Sequence, residues 1–452
     1  RVRALFLDVV AVWADGVVQV RLAVSALLRI KDSSSNVTYD LSRILNLLDG
    51  QTVTHDGALN SDVIQGIALG LVQQVTCQGL ASALAEHFDV LLNAFRSPHC
   101  TLTKLVLAEC DWPAGRPLSE LLDALAECGG TLKYLSVESM PAGGQLPASF
   151  FERCPWLQFC DLDNMNLTGP LPPTVGRLTR VQKLLLWGNS FEGLIPQEIG
   201  QCIQLQQLEA QKNKLSGPIP TTIGQCKQLR ILVLYENQLS GSIPETVGNC
   251  VNLQELYLND NQLTGPVPKE IGSCILLQQL ELETNQLSGP IPGTIFQCVE
   301  LSSLHLHSNL LTGPIPKEIG QCVLLQDFVL HTNQLSGEIP DTVGQCVQLV
   351  ELSLHGNKLS GPVPDMIEQC LQLESLTLAN NKLSGRLPTA SLSKLRKLEV
   401  LQLFGNDNLV VTNTDKEQLV KAIPGAQVHL PHFADMSLAD RPLVESSTRV
   451  ED

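Results

Sequence analysis

Four of the nine histidines of this 452-residue chain are His305, His307, His331 and His355, the last three at intervals of 24. Glu281 and Glu283 precede the first two by the same interval. Imidazole and carboxylate are the donors of a divalent ion such as Zn²⁺, which takes ligands at about 2.0–2.2 Å. If equal spacing brings them to one surface, Glu283, His307, His331 and His355 are the candidate metal ligands. Stacked imidazoles that repel on protonation would instead make binding pH-dependent near 6 to 7. A ladder copied with a duplicated unit, with neither property, is the plain alternative. A second set is apolar: Leu185, Trp187, Val233, Tyr235 and Tyr257, in a chain with four Trp and four Tyr. Exposed aromatics on a rigid surface suit a hot spot for a protein or peptide; incidental exposed apolar residues are the alternative. These eleven residues form the candidate ligand-binding set. No phosphate loop, kinase motif, GxSxG elbow or HExxH occurs, so neither enzymatic activity nor a cofactor is expected.

The interval of 24 runs through the chain. From Leu157, units begin at 181, 205, 229, 253, 277, 301, 325, 349 and 373, ten in all up to Lys397. A strict period of this length means a solenoid, in which each unit buries its apolar face against its neighbours. Apolar residues at slots 1, 4, 6 and 11 spell LxxLxLxxNxL, and LxL reads as a short strand with alternate residues buried. Slots 2, 3, 5, 7 and 8 then face outward on the sheet, and the candidate residues occupy slots 5 and 7. Slot 9 is Asn from Asn189 to Asn406, a carboxamide able to donate and accept at the turn; Met165 replaces it in the first unit. Slot 13 is Gly, which permits φ > 0, and slot 16 is Pro, which excludes regular helix there.

The motif LxGxIPxxIGxC, as in Leu215 to Cys226, resembles the plant-specific class of leucine-rich repeats over residues 157 to 410. That class is typical of receptor-like kinase ectodomains and of plant inhibitors of cell-wall-degrading enzymes. The resemblance implies an α/β leucine-rich-repeat solenoid: a curved, parallel β-sheet on the concave face, short 3₁₀ or extended segments on the convex face, and a helical N-terminal cap. It implies recognition rather than catalysis, since fold is not function. The paired Cys beside a Trp-x-Gly-Val core of the family's usual N-terminal cap is missing.

Residues 1–100 are expected to be a helical cap, with helices after Asp40, over Ser61 to Val75 and over Leu80 to Arg96. In residues 101–156, Leu102, Leu105, Leu107 and Cys110, and 30 residues later Leu132, Leu135, Val137 and Met140, form two longer, irregular repeats around a helix at Leu118 to Cys128, and these resemble the repeats of the ribonuclease-inhibitor type. Residues 398–432 add an eleventh strand, a helix at Asp415 to Ala422 and a closing strand, and 433–452 read as a disordered acidic tail.

Eight of the fourteen Cys, Cys202 to Cys370, share slot 22. The first repeat has Leu178 there, so they read as small buried hydrophobes. Cys77, Cys100, Cys128, Cys154 and Cys160 could include a disulfide in the cap. With 30 basic and 46 acidic residues the net charge is −16, which argues against nucleic acid and for a basic protein or peptide ligand. The N-terminal apolar stretch is broken by Asp8, Asp15 and Arg21, so no membrane span is expected. The start of the chain reads as a fragment or a mature end. The sequons at Asn36 and Asn166 are glycosylation acceptors that fit an extracellular or cell-surface protein, expected as a monomer; a cytoplasmic scaffold is the alternative.

Overall fold

A computed structural model of the protein describes residues 52–55, 68, 74–78, 83–128 and 130–431. The Asp40 helix, the Asn36 sequon and the 433–452 tail lie outside them. The chain forms two compact units, Arg1–Val181 and Gln182–Asp452.

In the first unit five strands run parallel: β1 (Thr52–His55), β2 (Gln74–Gln78), β3 (Lys104–Ala108), β4 (Tyr134–Glu138) and β5 (Phe159–Asp161). Helix α1 (Ala83–Phe95) connects β2 to β3, and α2 (Leu118–Glu127) connects β3 to β4. Helix α2 buries Leu118, Leu121, Leu122 and Leu125, the spacing of one apolar helical face. Gln74 and Val75, the last two residues of the helix expected over Ser61 to Val75, are strand instead; Ala68 is helical, and the other residues of that stretch lie outside the described ones. Val75 and Cys77 alternate in register with Leu105 and Leu107, a period of two that pairs them with an existing sheet edge. The N-terminal region therefore includes strands as well as helix. A disulfide joins Cys100, ahead of β3, to Cys128 at the end of α2, with Cα atoms 5.3 Å apart. Cys110 stands in the Asn slot, and its thiol donates to the Ala108 carbonyl at 3.4 Å.

In the second unit each repeat contributes a three-residue strand, from Lys183–Leu185 to Ser375–Thr377, followed by Val400–Gln402 and Gln427–His429. In consecutive 24-residue repeats, position i pairs with i + 24, as in Leu208, Leu232 and Leu256. On the other side a ladder of short strands runs from Ser190–Gly193 to Asn408–Val410, with 3₁₀ turns such as Lys269–Ser273 between the layers. The slot-13 glycines of this unit, Gly193 to Gly385, all have φ between 70° and 81°. Slot 8 is left-handed too, even where it is Lys212, Glu236, Thr284 or Thr332.

The slot-9 carboxamides tie each repeat to the one before. Asn309 Nδ2 donates to the carbonyls of Leu282 at 3.0 Å and of Leu306 and His307 at 3.2 Å. Its Oδ1 accepts from Leu287 N–H at 2.9 Å. The slot-22 cysteines are buried, and none forms a disulfide. Burial pushes their thiols up, Cys298 to about 12, so they are inert packing groups. The C-terminal helix Asn413–Ala422 opens with a reciprocal cap: Thr412 Oγ1 accepts from Asp415 N–H, and Asp415 Oδ2 accepts from Thr412 N–H. Among the described residues no helix is long and apolar enough to cross a membrane.

Candidate functional site

Side chains two residues apart on a strand share a face, and the 24-residue register stacks equivalent slots across the ladder. Slots 5 and 7 of the second unit thus form two adjacent columns on the concave face. Leu185, Trp187, Tyr235 and Tyr257 lie half-buried in these columns. Val233 was expected to be exposed with them, but it is only 5% exposed. It sits between Glu209 and Tyr257 in the ladder, and both neighbours have longer side chains. The Lys212 ammonium lies 5.9 Å from the Tyr235 ring centroid. Tyr257 donates its hydroxyl to Gln279 Oε1.

The histidines continue the same columns. His307 and His331 stack with ring centroids 4.3 Å apart, as do His331 and His355, while His305 and His307 meet edge to face at 6.0 Å. His355 Nδ1 lies 3.2 Å from both Ser353 Oγ and Thr377 Oγ1. All four imidazoles have lowered pKa values, chiefly because burial disfavours the cation. His331 is lowered to about 4, its neighbours' charges adding to burial. The imidazoles are therefore neutral at neutral pH, and the expected switch near 6 to 7 moves to more acid conditions.

The expected metal set also changes. Stacked rings turn their faces, not their in-plane lone pairs, toward one another, so His307, His331 and His355 do not converge with Glu283. The donors that do converge are Glu281, Glu283 and His305, whose ligand atoms all lie within 4.8 Å of one another. Glu281 pairs directly with His305 across the ladder. Glu283 is 9% exposed, and burial raises its carboxyl to about 7. Glu283 Oε2, His305 Nε2 and His307 Nδ1 are buried with no hydrogen-bond partner.

A second carboxylate group, in the first unit, was not singled out by sequence: Glu138 on β4 with Asp161 and Asp163, all within 4.8 Å. Asp161 and Asp163 are 7% and 3% exposed. Burial first, and then the charges of Asp163 and Glu138, raise Asp161 to about 8. The signal was present as two acids in slots 5 and 7, where the next repeat carries Leu185 and Trp187. Asn166 is exposed, so its sequon is accessible.

The Leucine Rich Repeat family model matches residues 228–250, 252–274, 300–322 and 348–370. No curated protein sequence matches the chain. Among solved structures, the chain resembles the ectodomain of the Arabidopsis thaliana receptor kinase GASSHO1/SCHENGEN3, solved with CASPARIAN STRIP INTEGRITY FACTOR 2. Identity is 28% and TM-score 0.61, over 83% of this chain and 49% of that one. It also resembles the Arabidopsis receptor kinase HAESA, solved with the peptide hormone IDA and the co-receptor SERK1. Here identity is 26% and TM-score 0.63, over 83% of this chain and 65% of that one. A TDR receptor structure shares the fold, at 24% identity and TM-score 0.69, over 83% of this chain and 61% of that one. The chain thus spans 49% to 65% of the length of these three proteins.

Proposed function

We propose that this chain, which is a leucine-rich-repeat protein of the plant-specific LxGxIP class, binds a protein or peptide on the concave face of its second unit. The observation that carries this reading is the half-buried aromatic patch of Trp187, Tyr235 and Tyr257, spread over the two adjacent columns at or just beyond the ends of strands in strict register. Half-buried aromatics on a rigid sheet offer contact area with little side-chain ordering to oppose binding. The columns also carry Glu209, Glu281 and Glu283, with Glu255 and Glu351 in slot 3 beside them, which favour a ligand with basic side chains. The peptide-hormone complex of HAESA supports a peptide in particular.

The protein acts without catalysis, as the sensing part of a receptor-like protein or as an inhibitor of another enzyme, and works as a monomer. The Cys100–Cys128 disulfide and the exposed Asn166 sequon support an oxidising, extracellular or cell-surface setting. The test is capture from a random peptide library by the full chain and by the Trp187→Ala/Tyr235→Ala double variant. Peptides enriched by the native chain and lost from the variant support the reading. Equal enrichment by both, or none above background, excludes the aromatic patch as the site.

A further inference from the structure

Most buried polar atoms of the second unit are satisfied repeat after repeat, yet among its described residues five are not, and three of these share two adjacent repeats at its centre. Glu283 Oε2, His305 Nε2 and His307 Nδ1 lie buried without partners. Leaving such an atom unpaired costs about 1–3 kcal/mol each; His305 ends one strand, and Glu283 and His307 lie two residues past the ends of two neighbouring strands paired in register. Among the described residues, no lysine or arginine is among the charged groups that act on them. Their charged neighbours are Asp260, beside Glu283 and His307, and Asp327, beside His305.

We propose that Glu281, Glu283 and His305 form a binding site for a divalent transition-metal ion of the Zn²⁺ class. The converging atoms include two carboxylates and one neutral imidazole, electron-pair donors in want of an acceptor. Imidazole selects Zn²⁺ and its transition-metal neighbours, whereas all-oxygen sets suit Ca²⁺ and Mg²⁺. Donor atoms within 4.8 Å of one another need only small rotations to reach Zn²⁺ at about 2.0–2.2 Å. Glu283, buried to nine-tenths with Oε2 unpaired, is the anchor. Two of the ligands, Glu281 and His305, are paired on neighbouring strands, so no loop has to close. Three protein ligands leave one tetrahedral position for water or for a donor of a bound partner.

The experiment is calorimetric titration of the metal-stripped full chain with Zn²⁺, with Co²⁺ absorption as an independent readout. The expected result is one equivalent bound, weakened about tenfold or more by Glu283→Gln and by His305→Ala. His331→Ala, within the stack but outside the set, should change affinity less than about twofold if ligation is local. Far-UV circular dichroism verifies folding, and His305→Gln replaces His305→Ala if the latter fails to fold. No binding by the native chain, binding that survives both ligand substitutions, or binding lost in His331→Ala each overturns the site. The titration uses no peptide, so its failure is distinct from a failure of peptide capture.

Discussion

Asn309 and His307 stand two residues apart in the same repeat, yet their polar atoms have opposite fates. The Asn309 carboxamide donates to three carbonyls and accepts from one N–H. The His307 ring leaves a buried nitrogen with no partner. The first pattern recurs at Asn333 and Asn357; the second is confined to a few residues on the concave face. Where polar groups serve the fold they are paired within it. Open pairing capacity in the same chain therefore marks groups with another task.

The largest expected effect tests the paired side of this contrast. Asn309→Ala leaves buried backbone groups of two repeats unbonded and should cost about 3 kcal/mol in urea unfolding. A loss below about 1 kcal/mol would mean that the carboxamide ladder is not what ties the repeats together. Next is Glu283→Gln in the absence of metal. The folded pKa of Glu283, about 7, lies above the ordinary 4.5, so the native state holds its proton more tightly than the unfolded chain. That contribution is fully present below pH 4.5 and is lost as pH rises toward 7. Removing the carboxyl should therefore stabilise the protein by about 1 kcal/mol at pH 8 and have little effect at pH 4. A destabilised variant at pH 8 would place the carboxylate among the paired groups.

The smallest effect concerns His331, whose pKa of about 4 lies below the ordinary 6.5. Its unfolded form binds the proton first, so stability falls as pH drops from 6.5 through 4. His331→Ala should make that acid limb shallower in thermal melts. An unchanged slope would show that the stack does not resist protonation.

The repeat architecture was legible because one pattern recurs ten times, and each slot has its own physical signature. Pro at slot 16 and Gly at slot 13 announced the 3₁₀ turns and the positive φ, and the apolar equivalence of Leu178 announced the buried cysteines. The left-handed slot 8 was not legible, because Lys212, Glu236 and Thr284 carry no intrinsic preference for it; the surrounding ladder imposes it. The site was legible as a region and not as a set. Equal spacing identified the columns, but ring orientation decided that His307, His331 and His355 stack while Glu281, Glu283 and His305 converge. Strand residues 74–78 were missed for a related reason: alternation over so few residues competes poorly with a longer helical pattern until Leu105 and Leu107 supply its partners.

The constant register also makes the second unit a molecular ruler. Trp187 and His307 occupy the same slot five repeats apart, which at about 4.8 Å per strand is a span of about 24 Å. An extended peptide advances about 3.4 Å per residue, so roughly seven residues are needed to bridge the aromatic and histidine ends. Shorter ligands must choose between them. A ligand lying across the strands would meet a new column member at a pitch unlike its own, so its anchoring side chains would be selected by position as well as by type.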